Sequence, residues 1–103
     1  MKLLNIDYLP GKEIEAIGMV KGSVVLTKNF GKDFMSAMKT FVGGELTSYT
    51  EMLTEARAIA TKRMVDEADA LQADAVLNIR YGSASLMSGA AEVIAYGTAV
   101  KIL

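Results

Sequence analysis

The sequence predicts an α+β fold. It reads as a two-layer domain with an antiparallel sheet on one side and one long and one short helix on the other, in the order β-β-α-α-β-β. Three observations carry this. Apolar residues recur at helical spacing from about Tyr49 to Gln72. The pattern switches to period two after Ala73-Asp74. Stretches before residue 28 are dominated by β-formers.

Taken in order, residues 1–12 read as a lead-in that ends at the turn signal Pro10-Gly11, so order is expected to begin near Glu13. Glu13 to Val20 and Ser23 to Thr27 read as strands, and Lys21-Gly22 between them reads as the two-residue turn of a β-hairpin. From Asn29 to Val42, Phe30, Phe34, Met38 and Phe41-Val42 recur at helical spacing, which predicts a short amphipathic helix capped by Asn29 and broken by Gly43-Gly44.

The long helix follows. Tyr49, Met52, Leu53, Ala56, Ile59, Ala60, Met64, Ala68 and Leu71 hold one face. Ser48 and Glu51 stand where the cap and third residue of a capping box belong. Lys62–Asp66 and Arg63–Glu67 are spaced as (i, i+4) ion pairs on the other face. Next, Ala75, Leu77, Ile79 and Tyr81 fall on one side of a strand and Val76, Asn78 and Arg80 on the other. Gly82 to Met87 continue it past a bulge, and Ser88 to Ala91 form the turn. The last strand, Glu92 to Ile102, is apolar on both faces: Ile94, Tyr96, Thr98, Val100 and Ile102 on one, Val93, Ala95, Gly97 and Ala99 on the other. Such a strand expects cover on both sides. A two-layer domain leaves one sheet face bare, so the pattern predicts contacts between copies of the chain.

Composition bounds the function. A length of 103 residues is one domain, 1–103, with no internal repeat. Half the residues are apolar, which excludes disorder, and a net charge of −1 without a basic stripe argues against nucleic acid as a partner. No apolar run approaches the roughly 20 residues of a membrane span, and Asp7 interrupts the short N-terminal run. Absence of Cys fits a reducing compartment, so a cytoplasmic location is expected.

With no Cys and no His, the ligands that soft and borderline metal ions prefer are missing. Met38, Met52 and Met64 sit on the expected buried stripes and read as core; Met35 and Met87 are not paired at ligand spacing. Asp66, Glu67 and Asp69 are too few oxygens for a hard ion and read as a solvated helix face. Gly43-Gly44 before a helix suits an anion, but Glu45 opposes one there, and the pair reads as a turn. Gly97 marks a close approach by a helix or a neighbouring subunit. Serines 36, 48, 83, 85 and 88 have no His partner and no nucleophile elbow, so no catalytic residue is assigned and the chain does not read as an enzyme. Arg80, Tyr81 and Tyr96 could line a pocket at a subunit boundary, though a tyrosine on a half-apolar strand more often keeps its hydroxyl at the rim.

Three stretches, in order, resemble the YbjQ-like family of small bacterial proteins. They are Gly22-Ser23-Val24-Val25-Leu26 with Asn29-Phe30 and Asp33-Phe34; Val42-Gly43-Gly44 with Tyr49 leading into the long helix; and Gln72-Ala73-Asp74-Ala75-Val76 with Tyr96-Gly97-Thr98-Ala99-Val100. The resemblance implies an α+β subunit assembled as a ring-shaped homo-oligomer, a pentamer. It also carries a heavy-metal-binding label, which this donor-poor sequence does not support. The chain departs from the family at Glu45-Leu46, where a basic residue followed by Ser is expected.

The reading that results is a non-enzymatic homo-oligomer, its partner itself, which binds a further partner or small ligand at subunit interfaces, with no cofactor and no metal residue assigned. The alternative is metal-ion binding through carboxylates gathered from several subunits, such as Glu13, Glu15, Glu45 or Glu92.

Overall fold

The computed structural model describes residues 1–27, 41–42 and 45–103. Their order is β1 (Lys2–Leu3), β2 (Ile14–Thr27), β3 (Phe41–Val42), β4 (Glu45–Leu46), α1 (Thr47–Ala70), β5 (Ala75–Met87) and β6 (Ala90–Ile102). The class is α+β. The main sheet runs β1-β5-β6-β2, and β3 pairs with β4 separately, Phe41 opposite Leu46 and Val42 opposite Glu45.

Several expectations are corrected. The sheet is mixed, because β1 lies parallel to β5 with Lys2 opposite Ala75. The lead-in is therefore ordered: Leu4 N–H donates to Val76 O at 3.0 Å and Asn78 N–H to Ile6 O at 2.8 Å. The expected hairpin at Lys21-Gly22 is one continuous strand of 14 residues. Its glycine serves packing, not turning: a Cβ on Gly22 would collide with the backbone of Ala60 and Met64, where α1 crosses β2. Among the described residues there is one helix, not two. The expected helix over Asn29–Val42 lies mostly outside the described residues, and its last two residues, Phe41-Val42, are strand.

Helix α1 begins at Thr47, so Ser48 is already helical and not its cap. It ends in a Schellman arrangement: Ala73 N–H donates to Ala68 O at 3.1 Å and Gln72 N–H to Asp69 O at 2.9 Å, with Gln72 at φ 59°. Of its two expected ion pairs, Lys62–Asp66 forms at 3.1 Å. Arg63 and Glu67 each reach β2 instead. Arg63 Nη1 donates to Ser23 O at 2.6 Å, and Glu67 Oε1 accepts from Lys21 N–H at 3.3 Å.

The helix buries Met52, Ala56, Ala60, Met64 and Ala68, one residue per turn at i, i+4. Three of the five are alanine, which lets the axis ride close to the sheet; Leu53 and Leu71 stay exposed. The sheet offers this layer Val20, Gly22 and Leu26 from β2, Val93, Ala95 and Ala99 from β6, and Val76 and Ile79 from β5. In β5 a register shift between Leu77 and Arg80, with Asn78 at φ 56°, resets the alternation. Ala75 and Leu77 consequently face away from the helix, while Ile79 and Tyr81 face it, unlike the single face read from the sequence. The shift also explains Gly97. A Cβ there would strike Val76 Cγ1 and Leu77 O, so the close neighbour is the adjacent strand. A second small cluster lies on the far face: Ala75, Leu77 and Val100, packed by Leu4 and Ile14.

Candidate functional site

Register fixes what the far face of the sheet carries, since residues directly opposite in adjacent strands share a face. Read across β5, β6 and β2, its rows are Leu77–Thr98–Met19, Arg80–Tyr96–Lys21, Gly82–Ile94–Ser23 and Ala84–Glu92–Val25. Leu4 of the lead-in, with Ile14, packs on the Ala75–Leu77–Val100 end of this face. Beyond that cover, Met19 is 74% exposed, Val25 49% and Tyr96 39%. The molecule measures 52 × 28 × 17 Å, and its thin dimension is one helix layer on one sheet. Its radius of gyration of 16.5 Å exceeds the about 13 Å of a compact domain this long.

Arg80 and Lys21 stand on either side of Tyr96 in one row, as cross-strand neighbours with Cβ atoms ~5 Å apart. Arg80 Nη1 donates to Asn5 O at 3.4 Å. Lys21 Nζ and the Glu92 carboxylate make no ion pair among the described residues. Glu92 lies four residues before Tyr96 on β6, ~13 Å along the strand.

Of the boundary residues expected from sequence, Arg80 and Tyr96 are brought together and Tyr81 is not. Tyr81 projects to the helix side, its hydroxyl 2.7 Å from Thr61 Oγ1. Thr61 gives its one hydrogen to Arg57 O at 2.7 Å, so Tyr81 is the donor of that pair. Lys21 was missed because Lys21-Gly22 reads as a turn; length of strand, not residue type, puts it in the row.

Among the described residues, those considered for metal do not gather. Met52 and Met64 are buried in the core, Met87 is exposed at the end of β5, and Met35 and Met38 lie outside the described residues. Glu15 is opposite Lys101, nine residues along β6 from Glu92, ~30 Å away. Among the described residues no three acidic side chains come together to hold an ion. The chain's donor set does not fit a heavy-metal ion.

One shallow groove of about 490 Å³ runs between Ile17 and Leu71, edged by Glu15, Gln72 and Lys101, where α1 ends. Its lysine is engaged in structure: Lys101 Nζ donates to Gln72 O at 2.9 Å and lies 3.8 Å from Asp74 Oδ1, while Asp74 Oδ2 accepts from Ile102 N–H at 2.7 Å. No described helix is long and apolar enough to cross a membrane.

Comparison with known proteins places the chain. A YbjQ family profile, described as "Putative heavy-metal-binding", matches residues 1–103. UPF0145 proteins of Clostridium novyi and Alkaliphilus metalliredigens are 64% and 57% identical, each over the full length of both chains. A UPF0145 protein of Thermotoga maritima is 52% identical, covering 99% of this chain and 97% of its own. A crystal structure of a DUF74-family protein of unknown function from Pediococcus pentosaceus superposes with a TM-score of 0.71 at 15% identity, covering 100% of this chain and 98% of that one, which shows a shared fold. The chain belongs to the YbjQ-like, or UPF0145, family.

Proposed function

Proceeding from that membership, we propose that this chain is a non-enzymatic, cytoplasmic homo-oligomer, a ring of five, that binds a partner or small ligand where subunits meet. The observation that carries the reading is the open face of the sheet. It presents Met19, Val25 and Tyr96 to water in a slab 17 Å thick, where no third layer covers them among the described residues. An uncharged run at the other margin supports the same reading. From Tyr81 to Met87, β5 extends past the reach of β1 with no charged residue and no proline, and Leu86 and Met87 are 50% and 69% exposed. Unprotected edges of this kind pair with other chains.

Native mass spectrometry on protein purified without added metal and without a metal-affinity step tests the proposal. The expected result is an integral multiple of the subunit mass, with any retained ligand visible as added mass. A monomer at micromolar concentration overturns it. A mass increment of one divalent ion per assembly supports the alternative, in which carboxylates from several subunits meet to hold a metal ion.

A further inference from the structure

We infer that β5 holds a register switch: the stretch from Tyr81 to Leu86 slides by one residue along β6, turning Tyr81 from the helix side of the sheet to the side of Tyr96. The inference concerns a single copy and does not rest on the assembly reading above.

Two bulges make the slide possible. β5 carries one residue more than β6 between Leu77 and Arg80, and again between Ser85 and Met87. The second surplus residue is Leu86. When Leu86 enters the ladder, Met87 keeps Ala90 as its partner and the surplus passes to the bulge at Asn78, which already stands at φ 56°. Tyr81 then faces Tyr96, Ser83 faces Ile94, Ser85 faces Glu92 and Leu86 faces Ala91. The backbone bonds from the lead-in reach β5 as far as Ile79, short of the stretch that slides.

The residues in the middle of the stretch do not resist. Ser83 takes the place of Gly82, where a Cβ would meet Ile94 Cγ2 at 3.4 Å, an ordinary contact. Ala84 replaces Ser83 and Ser85 replaces Ala84, small side chains at exposed positions. A strand whose two faces are alike in size and polarity does not fix its own register.

The two ends therefore decide it, and they pull in opposite directions. In the present register the Tyr81 hydroxyl donates to Thr61 Oγ1 at 2.7 Å, and Arg80 Nη1 reaches Asn5 O at 3.4 Å. The slipped register gives up both. In return it sets Tyr81 opposite Tyr96, an aromatic cross-strand pair. It also brings Leu86, now 50% exposed, into the row of Ala91 and buried Leu26, where Ser85 stands at present. Hydrogen bonds of modest net worth are thus set against one apolar side chain and one aromatic pair. The slide exchanges Arg80 for Tyr81 beside Tyr96, so a partner that meets the phenol rather than the guanidinium selects the slipped register.

The chain contains no cysteine, so an introduced pair reports the register directly. Ala84 and Glu92 share a face in the present register; Ser85 and Glu92 share one only in the slipped register. In a glutathione redox buffer, Ala84→Cys with Glu92→Cys is expected to close an intramolecular disulfide, and Ser85→Cys with Glu92→Cys to close to a smaller, measurable fraction. Thr61→Val, which removes the Tyr81 bond, is expected to raise closure of the second pair about fivefold, as loss of one hydrogen bond implies. Leu86→Ser is expected to lower it by about as much. A nuclear Overhauser contact between the Tyr81 and Tyr96 rings in the Thr61→Val protein reads the slipped register without cysteines. A second pair that stays reduced while the first closes, or no contact between the two rings in the Thr61→Val protein, overturns the switch. Neither result bears on assembly, which native mass spectrometry tests separately.

Discussion

Gly22 lies so close to Ala60 that a single added methyl group would strike the helix backbone. The Cβ of any other residue would fall on the Ala60 carbonyl oxygen and the Met64 nitrogen. Main chain cannot swing aside as a side chain does, so the strand or the whole helix must move. Gly22→Ala is therefore expected to destabilise the fold by about 3 kcal/mol, the upper end of ordinary overpacking, and Gly22→Val by more. Urea denaturation followed by circular dichroism measures it. A loss below 1 kcal/mol would mean that the helix does not cross the strand this closely.

The free margin of β2 is guarded from the helix. Arg63 on α1 donates to Ser23 O, while Glu67 accepts from the Lys21 N–H. Two outward backbone groups of a long edge strand are thus occupied by side chains, which blunts the edge against adding another strand. Replacing both residues by alanine should cost roughly 1 kcal/mol, since both are solvent-exposed. The more telling readout is light scattering at raised protein concentration. The double variant is expected to form irregular aggregates that wild type does not, and equal scattering would show that the edge needs no guard.

Met52 and Met64 are buried on the helix stripe, Met64 completely. If their role is packing, Met52→Leu and Met64→Leu should each change stability by less than about 1.5 kcal/mol. Neither should alter the assembled mass or the metal content found by plasma mass spectrometry. Loss of a stoichiometric metal on either change would make the thioethers ligands.

Where sequence and structure part company, the cause is consistently something local pattern cannot carry. The long helix is legible because its stripe repeats for six turns, and β6 because apolar and β-forming residues run on to Ile102 with no turn signal among them. Lys21-Gly22 misled because a glycine demanded by a helix crossing over the strand looks the same as one demanded by a turn. Ile79 and Tyr81 were assigned the face of Ala75 and Leu77 because the register shift after Leu77 adds a residue without any composition signal other than Asn78, whose side chain tolerates positive φ. Lys2–Leu3 joined the sheet through parallel pairing with a strand some 70 residues away, beyond any local signal. The open-face row followed from these corrections: Arg80 and Tyr96 were named from sequence, but Lys21 joins them only once β2 is one strand.

Gln72 holds the left-handed position that ends α1, a position that glycine or asparagine fills more readily. Its φ of 59° places Cβ against the following carbonyl, a strain of roughly 1 kcal/mol that glycine does not carry. The contacts around it come from backbone: its own N–H to Asp69 O, and its carbonyl to Lys101 Nζ. Gln72→Gly keeps both. Against the relief stands the added freedom of glycine in the unfolded chain, which costs about 0.5–1 kcal/mol. Relief is expected to match or slightly exceed that cost, so Gln72→Gly should leave stability unchanged or raise it by up to about 0.5 kcal/mol. Gln72→Val, with a branched Cβ in the same position, should lower it by 1 kcal/mol or more, on the order of the full left-handed penalty. Thermal unfolding of the three proteins at one subunit concentration ranks them. Valine ranking above glycine would place the helix end outside the left-handed conformation.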